Sequence, residues 1–224
     1  MPRQYVTTHI ALIGCVCLAL LMFLPPAGTE PGAPATGPGL DFDSPASISV
    51  LVNKDRQLSD PGFRPPDLAD VHGVQLRRDA AEAYSRMSAD AAAGGSPLRA
   101  VSGFRSAEAQ AELHAAYIRN QGRHAAEAIS ARPGHSEHQT GLAVDIGNPD
   151  AACSLQACFK HTPAGAWTAA NAHRYGFIIR YPEGKELTTG YSYEPWHLRY
   201  VGADLAARLH REGITLEEYA GLTQ

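Results

Sequence analysis

The sequence predicts an α+β domain: a small, mainly antiparallel sheet flanked by helices. Three observations lead there. Short apolar runs with strand character are interspersed with segments of helical spacing, not grouped at one end. Clusters of Gly, Pro and Ser separate these segments at short intervals. Apolar residues make up 44% of 224, enough for a packed core and consistent with one domain.

The elements follow in chain order. Ile10–Leu24 is an unbroken apolar run preceded by Arg3 and closed by Pro25-Pro26. A bilayer span takes roughly 20 apolar residues and a signal-peptide core roughly 7–15, so the run sits between the two. Residues 1–27 therefore read as a signal peptide or an N-terminal membrane anchor. Either one puts the bulk of the chain outside the cytoplasm, because the basic residue precedes the run. Residues 28–47 are rich in Pro, Gly and Ala and read as a linker. The folded domain is expected over 48–224.

Within it, Ser49–Val52 reads as a short strand and Asp60–Asp67 as a proline-rich meander. Gln75–Ala92 has helical spacing, with Leu76, Ala80, Ala83, Tyr84 and Met87 on one face, and Gly94-Gly95-Ser96-Pro97 stops it. Leu98–Val101 is a candidate strand. Ser106 has the character of an N-cap, with Glu108 in the first turn of a helix over Ala107–Asn120 that Gly122 ends. A short helix over His124–Ala131 follows. The apolar run after Gly141 predicts a short buried strand. Later come a helix near Thr168–Tyr175, a strand over Phe177–Tyr181, a polar turn region over Pro182–Gly190 and a strand over Tyr193–Tyr200. Terminal helices are expected over Ala203–Arg211 and Leu216–Leu222.

The net charge of −4 offers no basic surface for nucleic acid, and the aromatic share of 8% gives no stacking platform. The balance fits a small peptidic substrate, and a monomer is expected. Cys15 and Cys17 lie in the N-terminal apolar run. Cys153 and Cys158 lie in a loop, where an exported protein can close them into a small disulfide. A metal knuckle is the rival, but no other cysteine or close histidine pair completes one.

The candidate chemistry centres on Arg132–Gly147. His138 and Asp145 stand seven residues apart around a loop containing Gly141. Alone they would suit a structural hydrogen bond. With the distant Glu194-Pro195-Trp196-His197 they offer two imidazoles, a carboxylate ligand and a spare carboxylate. That set suits a hydrolytic zinc site with three protein ligands, one open position and one general base. Residues i and i+3 of an ideal strand face opposite sides, so Glu194 and His197 need a bend to converge, which Pro195 can supply.

At these residues the chain resembles a known family. Ser136-Glu137-His138-Gln139-Thr140-Gly141-Leu142-Ala143-Val144-Asp145 and Glu194-Pro195-Trp196-His197-Leu198-Arg199-Tyr200 look like the VanY-type D-alanyl-D-alanine carboxypeptidases. Ser102-Gly103-Phe104-Arg105-Ser106 and Ala131–His135 precede them in the same order. The resemblance runs from about Ile48 to Gly202, with Phe104 where a tyrosine is common. It implies a hedgehog-like fold, Zn²⁺ as cofactor, and peptidoglycan stem peptides ending in D-Ala as substrate.

It also implies roles. His138, Asp145 and His197 would bind the metal, with water in the fourth position. Glu194 would act as general base, with a second-sphere orienting role as its alternative. Arg105 would bind substrate and stabilise charge at the scissile carbonyl, its alternative being a surface salt bridge. Ser136 and Gln110 would contact substrate, although Ser136 equally suits a turn cap. Two other functions stay open: an L,D-carboxypeptidase acting on tetrapeptide stems, and a non-catalytic zinc-stabilised module binding cell wall.

Overall fold

The computed structural model describes Met1 and residues 40–222, so residues 2–27 of the expected N-terminal segment and residues 28–39 of the expected linker lie outside the described residues. Among the described residues no helix is long and apolar enough to cross a membrane. The hairpin β1 (Leu68–Val71) and β2 (Val74–Arg77) leads into helix α1 (Arg78–Ala93) and strand β3 (Arg99–Ser102). Helices α2 (Ala107–Gln121) and α3 (Arg123–Ile129) come next, then a single 3₁₀ turn over Glu137–Thr140 and strand β4 (Ala143–Gly147). The chain continues through α4 (Pro163–Asn171), β5 (Phe177–Ile179), α5 (Glu186–Thr189), β6 (His197–Tyr200), α6 (Ala203–Glu212) and α7 (Leu216–Ala220).

Strands β3 to β6 form one antiparallel sheet in the order β3-β4-β6-β5, and β1-β2 form a separate hairpin. The expected α+β class with a small antiparallel sheet is what the chain adopts. Side chains alternate across a strand. On β4 and β6 this puts Val144, Ile146 and Leu198 into the main apolar core, with Leu76, Ala80, Ala83, Tyr84 and Met87 from β2 and α1. Asp145, His197 and Arg199 take the opposite face, and all three are buried there. A second apolar cluster joins Leu51 and Val201 to Leu205, Leu209, Leu216 and Tyr219 of the last two helices.

Several elements depart from expectation. Ser49–Val52 is buried but forms no strand. Its backbone is bonded piecemeal: Leu51 N donates to Phe42 O at 3.0 Å, and Arg199 Nη2 donates to the carbonyls of Val50 at 2.8 Å and Ile48 at 3.1 Å. Residues 40–47, assigned by composition to the linker, pack on the domain, with Phe42 edge-on to Tyr219 at 6.3 Å. The helix expected from Gln75 starts at Arg78, because Val74–Arg77 pair with β1. The intervening turn has His72 at φ 47° and Gly73 at φ 85°, the two left-handed residues a tight hairpin needs. A short helix occupies part of the expected 182–190 turn region, and the strand expected from Tyr193 begins at His197. Ser106 caps α2 by accepting from Ala109 N at 3.2 Å.

Leu198 lies wholly inside the core, one residue from His197. Leu198→Ala is expected to lower the unfolding free energy by about 2–5 kcal/mol, the range for a buried large-to-small change. Urea unfolding followed by circular dichroism measures this, and a loss below about 1 kcal/mol would contradict the packing described.

Candidate zinc centre

Strand register builds the site. Across β3, β4 and β6 the pairs Ser102↔Asp145 and Asp145↔His197 put three polar residues in one row. A register irregularity in β3 between Ala100 and Ser102 brings Ser102 into that row. His138 arrives from the 3₁₀ turn that precedes β4. That turn closes on Gly141, at φ 68°, where a Cβ would meet Arg77 Cγ at 3.0 Å.

His138, Asp145 and His197 each present a ligand atom, all within 4.8 Å of one another, and all three residues are buried. His138 Nε2 lies 3.2 Å from Asp145 Oδ2, and His197 Nδ1 lies 3.0 Å from Asp145 Oδ1. The remaining ring nitrogens are committed elsewhere. His138 Nδ1 donates to Gly103 O at 2.7 Å, and His197 Nε2 faces Glu137 Oε2 at 3.4 Å. Each ring therefore turns a different nitrogen toward Asp145, the outer bond fixing which one. Gly103 can stand where it does only without a side chain: a Cβ would sit 2.4 Å from Gln75 O. Ser102 Oγ donates to Asp145 Oδ2 at 2.5 Å and so orients the carboxylate.

The electrostatics favour a cation here. Burial would raise the Asp145 carboxyl, but the two histidines outweigh it and hold it well below the usual carboxylate range. Burial lowers His138, which keeps its ring neutral and fit for coordination. His197 behaves oppositely: Asp145 and Glu137 on either side overcome burial and raise it to about 10. A positive charge is thus stabilised at the position facing Asp145. Two nitrogens, one carboxylate and an open side fit Zn²⁺.

Glu194 stands beside this set. The expected bend is a turn, with His197 N donating to Glu194 O at 3.1 Å across Pro195-Trp196. It leaves Glu194 Oε2 3.9 Å from His197 Nδ1, close to the cluster yet outside it. Burial is the main cause that pushes its carboxyl up to about 7.

Arg105 makes no ion pair among the described residues. Its Nη1 donates to Gln110 Oε1 at 2.9 Å and its Nη2 to Ser102 Oγ at 3.4 Å. Gln110 is buried, and its Nε2 donates to Ala131 O at 2.7 Å and Ser130 Oγ at 3.3 Å. Its amide is therefore engaged in holding Arg105 between α2 and the segment after α3. Ser136 is buried at the site, and its side chain makes no cap hydrogen bond. Arg105, Gln110 and Ser136 line one cleft of about 240 Å³ together with His138, Asp145, Glu194 and His197. The Cys153–Cys158 pair is joined in a disulfide, with Cα atoms 5.6 Å apart. His135 bonds Asn53 O, and His173 stacks on His210, so neither belongs to the cluster.

Sequence reasoning leaves out Ser102 and Glu137. Glu137 is wholly buried, with Oε1 accepting from Arg180 Nε and Arg199 Nη1 at 2.7 Å each. Burial opposes its ionisation, but the two arginines overcome it and keep the carboxyl well below its usual range. Arg180 also bonds Glu217 of α7, at 2.9 and 2.6 Å. The available signal is Glu137's place beside a candidate ligand, with two arginines in later apolar strands.

A family model described as VanY, D-alanyl-D-alanine carboxypeptidase, matches residues 73–203. The carboxypeptidase-named protein YodJ of Bacillus subtilis (strain 168) is 41% identical over 189 residues, covering 80% of this chain and 68% of its own. Among solved structures, the LD-carboxypeptidase LdcB superposes with a TM-score of 0.74 at 40% identity, covering 80% of this chain and 88% of that one. The vancomycin-resistance D,D-pentapeptidase VanY from a VanB-type cassette, solved with Zn(II), gives a TM-score of 0.68 at 32% identity, covering 77% and 98%.

Ser102→Ala removes the hydroxyl that orients Asp145. It is expected to weaken Zn²⁺ binding by about 10–100-fold, the usual effect of losing such a support. Competition against a chromophoric chelator measures this, and unchanged affinity would mean that the Ser102–Asp145 bond does not tune the centre.

Proposed function

The chain belongs to the VanY family of D-alanyl-D-alanine carboxypeptidases, and from that premise we propose how its own residues carry out the hydrolysis. It is a zinc carboxypeptidase that removes the C-terminal D-Ala of peptidoglycan stem peptides. His138, Asp145 and His197 hold the metal. When bound, Zn²⁺ supplies a Lewis acid that polarises the scissile carbonyl and acidifies water.

The observation that carries the reading is Glu194: a buried carboxylate 3.9 Å from a metal-facing nitrogen, with no ligand duty of its own. A carboxyl pushed up to about 7 can both take and return a proton near neutrality. Glu194 takes a proton from the attacking water and delivers it to the departing amine of D-Ala. The zinc-stabilised binding module has no use for such a group. Arg105, free of any carboxylate partner among the described residues, offers its guanidinium to the developing oxyanion or to the substrate's terminal carboxylate. Gln110 acts through Arg105 by fixing its orientation. Ser136 has a hydroxyl uncommitted to the turn and donates it to the substrate's peptide end.

The enzyme acts outside the cytoplasm. The Cys153–Cys158 disulfide fits an oxidising compartment, and the N-terminal apolar run supplies export or anchoring. The monomer is the working form, since one chain supplies every group of the site. The L,D alternative is supported by the L,D-carboxypeptidases LdcB and DacB among the solved relatives.

Mass-detected D-alanine release from pentapeptide and tetrapeptide stems decides between the two. Release from the pentapeptide is expected, release from the tetrapeptide alone supports the L,D reading, and a zinc-loaded chain inactive on both refutes the enzyme. Glu194→Gln should keep its zinc and lose at least about 10²-fold in kcat. Near-normal turnover would remove Glu194 from the proton path. His138→Ala should instead lose the metal, and unchanged zinc stoichiometry would mean a different ligand set.

A further inference from the structure

The active-site cleft is lined by Arg105, Ser136 and the metal-facing residues, and also by the large apolar or aromatic side chains of Leu113, Tyr117, Ile129 and Leu155. The leaving residue is a single D-Ala, whose side chain is one methyl group. A methyl cannot cover walls built from four large side chains.

Two of those side chains are unusually open for their type. Ile129 and Leu155 are each 43% exposed, and both face the same cleft. Leu155 lies inside the loop closed by Cys153 and Cys158. Cys153 packs against the main apolar core, which ties the base of the loop to the domain. The loop and the residues leading into it hold Ala151 at φ 61°, Cys153 at φ 54° and Leu155 at φ 51°, a left-handed conformation unfavourable for residues with a side chain. Local hydrogen bonds keep this form: Asn148 Nδ2 donates to Ala152 O at 2.7 Å, and Gln156 N donates to Cys153 O at 3.2 Å. The loop thus supports a backbone conformation that leaves a leucine open to water beside the metal centre. Such an apolar surface is matched to something that covers it.

We propose that Leu155, presented by the disulfide-closed 153–158 loop, is a specificity residue that seats an aliphatic side chain of the substrate on the amino side of the scissile bond. This rests on the carboxypeptidase reading of the same cleft. The occupant follows from continuity: a peptide whose last bond lies at the metal must run its preceding residues along the remaining walls. Leu155 touches that part of the peptide and takes no part in the bond cleavage. The disulfide acts through Leu155, as a positioning element.

The test compares two peptides on the zinc-loaded full chain: diacetyl-Lys-D-Ala-D-Ala, and acetyl-Ala-D-Ala-D-Ala, which lacks the aliphatic chain. The wild type should prefer the lysine peptide through KM. Leu155→Ser should reduce that preference by about tenfold, the size of losing apolar contact in a specificity pocket, with kcat on the lysine peptide largely kept. The double change Cys153→Ser with Cys158→Ser should act in the same direction. Leu187→Ser, at a leucine 94% exposed and outside the cleft lining, serves as the control and should leave the preference unchanged. An unaltered preference in Leu155→Ser overturns the proposal. So does a fall in kcat that is equal for both peptides, which would mark a merely structural role. A wild type that cleaves neither peptide refutes the reading of the site, and this inference falls with it.

Discussion

One carboxylate ties the zinc centre to the rest of the molecule. Glu137 gives one oxygen to Arg180 and Arg199 and turns the other toward His197. All four side chains are buried, so none of these charges is screened by water. Burying charge is costly, and the network is tolerable only because its partners meet at short distance. Removing one member of such a set typically costs about 3–5 kcal/mol, because its partner is left buried and unpaired. Arg199 also binds the carbonyls of Ile48 and Val50, while Arg180 binds Glu217. Through two arginines the early segment, the sheet and the last helix all bear on one residue adjacent to His138.

The sheet resolves a conflict between core and chemistry. Its two central strands are buried on both sides, which ordinarily calls for apolar residues throughout. Here alternation assigns Val144, Ile146 and Leu198 to an apolar core, and Asp145, His197 and Arg199 to a face where every polar group has a partner. Rigid strands suit a metal centre, since the positions of Asp145 and His197 are set by backbone pairing and not by loop conformation. His138, from a turn, needs other restraints: the bond from its Nδ1 to Gly103 O, and the bond from Arg105 N to its own carbonyl at 3.1 Å.

The parts of the site legible in the sequence are those whose chemistry is written in residue type. His138, Asp145, His197 and Glu194 could be picked out because few other roles use that set. Their meeting could not be derived from spacing, because it depends on the register of β4 against β6. Glu137 stayed hidden for the opposite reason. A glutamate in a polar motif reads as solvated, and only the fold reveals two arginines waiting in the interior. Ser49–Val52 resembles a strand because it is apolar, while its backbone bonds one group at a time, Leu51 to Phe42 O and Val50 to the distant Arg199 side chain. The β1–β2 hairpin was missed because its turn is His72-Gly73, less conspicuous than Asn-Gly though it meets the same φ requirement. Helix termini were easier, since Ser106 and Gly122 mark them by local chemistry.

The bond between Arg180 and Glu217 carries a consequence for the order of assembly. A chain made from its amino end presents Asn53, Glu137, Arg180 and Arg199 before Glu217 exists. Until then two guanidinium groups must share one carboxylate, and a nascent interior would enclose an excess positive charge at the threshold of a pocket meant for a cation. The arrival of α7 supplies the second carboxylate, so the interior beside His197 is electrically balanced only once the last helix has docked.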